Sequence, residues 1–344
     1  MSADHAVAIA ERLSWIAVDW GSSNLRAWAL DDEDRIIAET SSQRGMLGLT
    51  PDEFEGALLD VIGNWLPAQG NGTEVLICGM AGARQGWVEA AYLPLTDDAD
   101  VFADLGSRLT TVPTRDARLD VQIVPGLCQQ PDMAPTPQGF DVMRGEETQL
   151  AGLVARRPGF DGAVCLPGTH AKWARLKDGR ISGFTTFMSG ELFKLLSQDS
   201  VLRHSLKSDD LAGSFNDEAQ RAAYLEGIDT ALADPGRLSA ELFGIRARDL
   251  LDSRLPSGTA RGAWLGARLS GMVLGLELAG ATANLATGSQ VVLIGAESLC
   301  QRYRLALEHL GFAVDIEANV DMILAGLGRI HHAPDRSLSG YPTP

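Results

Sequence analysis

The stretch from Trp15 to Trp28 constrains the fold of this chain more than any other. Residues 15–18 are a short apolar run rich in β-formers, and Asp19 falls where that strand ends. A tight polar turn, Gly21-Ser22-Ser23-Asn24, leads into a second strand that carries Arg26 and Trp28. Gly21 has no Cβ, so backbone and ligand can approach closely there. Ser22, Ser23 and Asn24 offer short side-chain donors beside backbone N–H groups, a chemistry suited to phosphate oxygens. The carboxylate of Asp19 at the same mouth is a candidate to hold Mg²⁺ through water, because Mg²⁺ favours hard oxygen ligands and keeps much of its hydration. Taken alone, the stretch reads equally well as a surface hairpin with an ordinary polar turn.

A second stretch, Ala163 to Leu176, repeats the plan. An apolar strand meets Gly168 and Thr169, followed by His170, and a second strand again carries a tryptophan, Trp173. A third strand follows a polar turn in both places, after residues 31–34 and after Lys177-Asp178-Gly179, the latter a hairpin signal. A fold built twice is expected to place two such turns face to face across a cleft and grip one polyphosphate. A GxxxxGK[ST] loop is lacking, so a kinase reading requires this other phosphate grip.

The pair resembles the two phosphate motifs of the actin-like ATPase and sugar kinase superfamily. Three further motifs narrow the resemblance: residues 142–150 with Arg144-Gly145-Glu146-Glu147, residues 166–173 with Pro167-Gly168-Thr169-His170, and Met188-Ser189-Gly190-Glu191-Leu192. Together they look like the 2-dehydro-3-deoxygalactonokinase family, over about residues 15–330. The resemblance implies an α/β fold of two duplicated ribonuclease-H-like (actin-like ATPase) domains with an interdomain cleft, divided here at 144/145. It implies ATP and Mg²⁺ as cofactors, a sugar acid as small-molecule partner, and transfer to the 6-hydroxyl of 2-dehydro-3-deoxy-D-galactonate. It places the catalytic carboxylate directly after a glycine at a helix start, which is Glu146 here; Glu147 is the alternative base or orients a Mg²⁺-bound water. It also brings a glycine turn, Gly295 and Ala296 with Ser298, to the adenosine.

Lys plus Arg is 29 and Asp plus Glu is 45, a net charge of −16. This balance argues against a nucleic-acid or anionic-membrane surface. It also requires a locally positive site for two anionic substrates. Arg144 is the first candidate for the sugar carboxylate, because it adjoins the expected base, and Arg84 is the second. The four cysteines are widely spaced with no CxxC pair, which reads as reduced thiols in a cytoplasmic protein. Residues 1–14 do not look like a signal peptide, and no apolar run reaches the ~20 residues of a membrane span.

The remaining elements follow in order. Thr50, Pro51 and Glu53 form a capping box opening a helix that is expected to run to about residue 66. A buried strand at 74–78 leads into a glycine-rich turn, which makes Arg84, Gln85 and Trp87 candidates to meet the sugar acid or, equally, members of a plain loop. Residues 121–124 read as a strand and 129–139 as a Pro-containing loop. A helix from Glu146 to about 156 bridges the two halves. Ser189 and Gly190 are expected to close over the substrate, and Lys172 to face solvent. Helices at 217–233, 237–251 and 260–283 form an insertion whose Arg and Glu residues read as a solvated face. A strand at 291–296, helices at 298–310 and 320–330, and a strand at 312–316 complete the chain, with Ala325-Gly326 allowing close packing on the bridging helix. His331, His332 and the tail read as frayed. A kinase for another small sugar acid, and a nucleotide-dependent ATPase or sensor of the same fold, are the rival readings.

Overall fold

The computed structural model describes residues 3–68, 72–96, 100–131, 139–206 and 217–334. Most of the expected loop at 129–139 and the tail beyond 334 lie outside them. In chain order the elements are α1 (Ala3–Ala10), β1 (Trp15–Trp20), β2 (Leu25–Leu30), β3 (Ile36–Ser42), α2 (Phe54–Ile62), β4 (Thr73–Gly79), β5 (Tyr92–Pro94), α3 (Val101–Asp104), β6 (Thr110–Val112), β7 (Leu119–Ile123), β8 (Gly126–Gln129), β9 (Asp141–Met143) and α4 (Glu146–Arg156). They continue with β10 (Gly162–Leu166), β11 (Ala171–Lys177), β12 (Arg180–Phe187), α5 (Ser189–Gln198), α6 (Glu218–Ala233), α7 (Leu238–Leu251), α8 (Thr259–Ala281), β13 (Gln290–Gly295), α9 (Glu297–His309), β14 (Ala313–Ala318) and α10 (Asn319–His331).

One sheet has the order β3-β2-β1-β4-β7-β6 and a second the order β12-β11-β10-β13-β14. Both therefore begin third-second-first-fourth, as a duplicated fold requires; the first then continues sixth-fifth, and the second ends on its fifth strand. In the first sheet β1 runs antiparallel to β2 and parallel to β4, and β4 runs parallel to β7. In the second, β10 and β13, and β13 and β14, are parallel. A small sheet, β5-β8-β9, was not expected. Its strands are three or four residues long, too short to show an alternating pattern.

Compactness divides the chain into Met1–Asp161 with Leu176–Phe184 and Asn319–Pro344, and Gly162–Arg175 with Thr185–Ala318. This grouping differs from the division at 144/145. The reason is the packing of α4 on α10, which holds both in the first unit. A Cβ on Gly152 would lie 1.9 Å from the Met322 carbonyl oxygen, and one on Gly326 would lie 1.9 Å from that of Thr148. The two helices thus meet backbone to backbone, as Ala325-Gly326 led one to expect.

The core of the first unit gathers Ile16, Val18, Trp20, Phe54, Leu58, Ile62, Val75 and Ile77. The capping box at Thr50 is present, with both Thr50 and Glu53 engaged. The first turn is 3₁₀, and the α-helix ends at Ile62 rather than near 66. The chain then turns with the Trp65 N–H donating to the Ile62 carbonyl, and it buries Trp65 and Leu66 without helix.

Several expectations about exposure are corrected. Lys172 is buried. In the insertion, Arg268 and Glu277 are buried rather than solvated. There α6 and α8 pack through Gly227 and Gly271, whose added Cβ atoms would lie 2.3 and 1.9 Å from carbonyl oxygens of the facing helix. His331 and His332 are not frayed: His331 stacks on Trp15 with ring centroids 4.4 Å apart and reaches Glu74 at 3.3 Å, and His332 reaches Asp34 at 2.8 Å.

Replacing Gly152 by Ala is expected to lower stability by about 2–3 kcal/mol, the usual cost of overpacking. Gly56 of α2, where a Cβ meets nothing within 4 Å, is the counterpart. Gly56→Ala should raise stability by ~0.5–1 kcal/mol. Denaturant unfolding of the two variants checks both signs.

Candidate active site

In the first unit the site forms at the C-terminal ends of the parallel pair β1 and β4, where Asp19 lies opposite Cys78 and Trp20 opposite Gly79. Asp19 is also paired across the hairpin with Arg26. The guanidinium donates to Asp19 Oδ2 from Nη2 at 2.5 Å and from Nε at 3.2 Å. The other oxygen, Oδ1, lies 4.0 Å from Cys78 Sγ. Arg26 therefore orients Asp19 in this structure.

Gly79 and Gly145 bring α4 to the same place. Both hold positive φ, +91° and +104°, a conformation that L side chains rarely adopt. A Cβ on Gly145 would lie 3.3 Å from Gly79 Cα, and one on Gly79 would lie 2.7 Å from the Trp20 carbonyl oxygen. The helix can start here only because both residues are glycine. Its first two side chains fold back over its N-terminus. Glu146 Oε2 accepts from the Arg144 N–H at 3.0 Å, and Glu147 Oε2 from the Gly145 N–H at 2.6 Å. Glu146 is half-buried, whereas Glu147 is fully buried. Burial first, and the neighbouring Glu146 charge second, push the Glu147 carboxyl up to about 8. The Thr148 hydroxyl donates to Glu147 Oε1 at 3.1 Å.

The turn after β1 is backed by a segment that sequence reasoning missed. The N–H groups of Gly45, Met46 and Leu47 donate to the carbonyls of Ser23, Gly21 and Ser22 at 3.0–3.2 Å. In a trans peptide the C=O of one residue and the N–H of the next point in opposite directions. With these three carbonyls turned toward residues 45–47, the N–H groups of Ser22, Ser23 and Asn24 point the other way. That is the arrangement of an anion-binding nest. Gly45 must be glycine for space: a Cβ there would lie 2.3 Å from Ser23 C and 2.4 Å from Ser22 O.

The second unit repeats the device. A Cβ on Gly190 would lie 2.5 Å from the Gly168 carbonyl oxygen, and the Glu191 N–H donates to the Thr169 carbonyl at 3.0 Å. By the same peptide geometry the N–H groups of Thr169 and His170 point away from α5. Each backing glycine stands three residues past the end of a third strand: Ser42 to Gly45, and Phe187 to Gly190. Superposing the two halves of the sequence would have revealed it.

Beside the second turn, Gly168, Ser189, Gly190, Tyr224, Arg302 and Tyr303 line a cavity of about 90 Å³. Apolar side chains of α5, α8 and α9, among them Phe193, Leu274 and Leu299, complete its wall. Gly295 adjoins the turn as well, since a Cβ there would lie 3.4 Å from the Pro167 carbonyl oxygen. Ala296 and Ser298 are exposed at the start of α9. His170 is half-exposed, and its Nε2 sits 2.6 Å from Glu191 Oε2.

The residues expected to meet a sugar acid separate into different roles. Trp87 is half-buried and packs against the core, with its ring 6.0 Å from Phe54 and 6.1 Å from Trp20. Arg84 and Gln85 are exposed, and Arg84 pairs with Glu89 at 3.2 Å. Arg144 is buried, lies 4.2 Å over the Tyr92 ring and donates from Nη2 to the Ala90 carbonyl at 2.7 Å. Its Nε and Nη1 are buried without a hydrogen-bond partner among the described residues. Ser189 and Gly190 group with the second turn.

The repeated strand order and the repeated hairpin turn define a member of the actin-like ATPase and sugar kinase class. Within that class the chain belongs to the 2-keto-3-deoxy-galactonokinase family, whose model matches residues 19–330. It is 34% identical over 319 residues to the 2-dehydro-3-deoxygalactonokinase of Escherichia coli (strain K12), covering 93% of this chain and 98% of that protein. It is 38% identical over 317 residues to a Rhizobium meliloti (strain 1021) protein assigned the same activity, covering 91% of this chain and 95% of the relative. A crystal structure assigned as a 2-dehydro-3-deoxygalactonokinase from Sinorhizobium meliloti is 36% identical, with a TM-score of 0.79 and coverage of 93% and 98%.

Two outcomes follow from this geometry. Gly45→Ala should lower kcat by about tenfold or more, because displacing a positioned group by ~1 Å can cost up to 10²-fold. Gly48→Ala, where a Cβ meets nothing within 4 Å, should not. Steady-state turnover of the two variants compares them. Glu147 has a folded value near 8 against an ordinary 4.5. The folded state therefore holds the proton more tightly than the unfolded chain, and stability present below about 4.5 is lost as pH rises toward about 8. Glu147→Gln should flatten that decline in urea unfolding measured across the window.

Proposed function

We infer that the chain is an ATP-dependent kinase that transfers the γ-phosphoryl group to the 6-hydroxyl of 2-dehydro-3-deoxy-D-galactonate. The observation that carries this reading is the pairing of two glycine-backed phosphate turns with a carboxylate pair at the glycine-framed start of α4, in a chain of a sugar-acid kinase family. The second turn, the cavity beside it and the Gly295–Ser298 segment take the nucleotide. The first turn and the start of α4 serve the transferring phosphoryl group and the hydroxyl.

Glu146 accepts the hydroxyl proton as the sugar oxygen attacks the γ-phosphorus in line. The O–P bond forms as the bond to the ADP oxygen breaks, and the proton remains on Glu146 until it exchanges with water. Glu147 is the poorer base at neutral pH, because with a value near 8 it still holds its own proton. The ionised Glu146 is one cause of that, so the adjacent carboxyls share one negative charge. Arg144 is the first candidate for the sugar carboxylate: a buried cation beside the base with two donors that have no hydrogen-bond partner among the described residues. Positioning and electrostatics carry most of such a rate.

Asp19 fits a role in holding Mg²⁺, with Oδ2 taken by Arg26 and Oδ1 turned toward Cys78 and Gly79. Among the described residues no group of three His, Cys, Asp or Glu could hold a metal ion. A Mg²⁺ here would thus draw most ligands from water and phosphate, as it commonly does. Once bound it would neutralise phosphate charge. Free cysteines at 78, 128, 165 and 300 accord with a cytoplasmic setting. No described helix is long and apolar enough to cross a membrane.

ADP release measured against a panel of 2-keto-3-deoxy sugar acids tests the reading. Release with 2-dehydro-3-deoxy-D-galactonate alone supports it, release with a different acid moves the substrate, and release with none makes the chain an ATPase. Glu146→Gln should lower kcat by ~10²–10⁴-fold with both substrates still bound, the usual contribution of a general base. Glu147→Gln should act more mildly. Nearly full kcat in Glu146→Gln with a dead Glu147→Gln would shift the base by one residue.

A further inference from the structure

Glu277 of α8 is fully buried, and the phosphoryl-transfer chemistry leaves it unused. Its carboxylate collects donors from three separate elements. Oε1 accepts from the Trp173 indole N–H of β11 at 2.7 Å, and Oε2 accepts from the Tyr303 hydroxyl of α9 at 3.0 Å. The hydroxyl of Ser189, the first residue of α5, hydrogen-bonds it as well. Two of these donors, Ser189 and Tyr303, stand in the wall of the cavity beside the second turn. Ser189 immediately precedes Gly190, which presses on the Gly168 carbonyl.

A buried carboxylate costs several kcal/mol in desolvation unless hydrogen bonds offset it, so an apolar residue would be the cheaper filler for a core helix. What the carboxylate adds is direction. A carboxylate accepts at two oxygens and donates nothing, so an N–H and two hydroxyls must all aim at it. The indole N–H can only donate, which fixes Oε1 as an acceptor. Three elements are thereby held at set angles around one point: the strand that leaves the turn, the helix that backs the turn, and the helix that walls the cavity.

We propose that Glu277 is a positioning residue of the nucleotide site, setting the second phosphate turn and the cavity wall through Ser189, Trp173 and Tyr303. The proposal rests on the reading of the second unit as the nucleotide half. Its substrate-binding signature is one-sided, because Arg144, the candidate for the sugar carboxylate, belongs to the other unit and makes none of these bonds.

Glu277→Gln keeps the size but places an amide donor where an acceptor is required. The expected result is a rise of about tenfold in KM for ATP and in Kd for ADP, the loss typical of a broken hydrogen bond to a charged group. The KM for the sugar acid should stay within about twofold, since no bond to it is touched. Trp173→Phe removes one donor without altering the cavity lining and should raise the same two constants by a smaller factor. It also stands in if Glu277→Gln proves poorly folded. Unchanged ADP affinity in both variants, or equal rises in both KM values, overturns the proposal. Wild-type calorimetry with ADP, alongside Gly168→Val, separates the two levels. Absence of wild-type binding overturns the nucleotide reading itself. Wild-type binding that Gly168→Val abolishes and Glu277→Gln leaves intact overturns only the role of Glu277.

Discussion

The site depends on one steric condition, the absence of a Cβ where a second piece of backbone lies against a hairpin turn. At Gly45 and Gly190 the facing carbonyls leave about 2.5 Å or less for any added atom. The contact turns carbonyls inward and leaves N–H groups pointing outward. A chain with net charge −16 can then present positive surface without spending Lys or Arg on it. Backbone N–H groups carry partial charge that is fixed in direction and needs no counter-ion nearby. Under the function proposed above, this reconciles an acidic protein with two anionic substrates.

The same economy governs the carboxylates. Asp19 is held by an ion pair with Arg26, its cross-strand partner, at the mouth of β1. Glu146 and Glu147 begin one helix, but burial treats them differently. One is half-exposed, and the other is driven up to about 8. Side chains adjacent in sequence on a helix point about 100° apart, so one can face the site while the other faces α4's packing surface. The different burial of two identical neighbours is thus a consequence of helix geometry.

The legible part of the fold was the part written in repeated local pattern. The two strand–turn–strand stretches, the capping box at Thr50 and Glu53, and the small residues of α10 each carry their signal within a few positions. What stayed hidden depends on contacts distant in sequence. The β5-β8-β9 sheet has strands of three or four residues. The packing of half-buried Trp87 against Trp20 and Phe54 is not visible from its place beside a glycine turn. Lys172 and Glu277 read as solvated because charge usually is, and only the tertiary fold shows what surrounds them. Gly45 was legible in principle, through comparison of the two halves, because its place relative to the third strand matches that of Gly190.

Duplication gave the two units one backing device and left the rest of each free to diverge. In the first, the end of β4 and the start of α4 meet through two positive-φ glycines, which places acids beside the turn. In the second, the chain following α5 adds α6, α7 and α8, and the turn gains an apolar cavity with Glu277 behind it. An acid beside a turn suits proton transfer, whereas an apolar slot with a few directed polar groups suits a flat ligand. Under the function proposed above, the chemical asymmetry of phosphoryl transfer would correspond to what each copy added around the same glycine-backed turn.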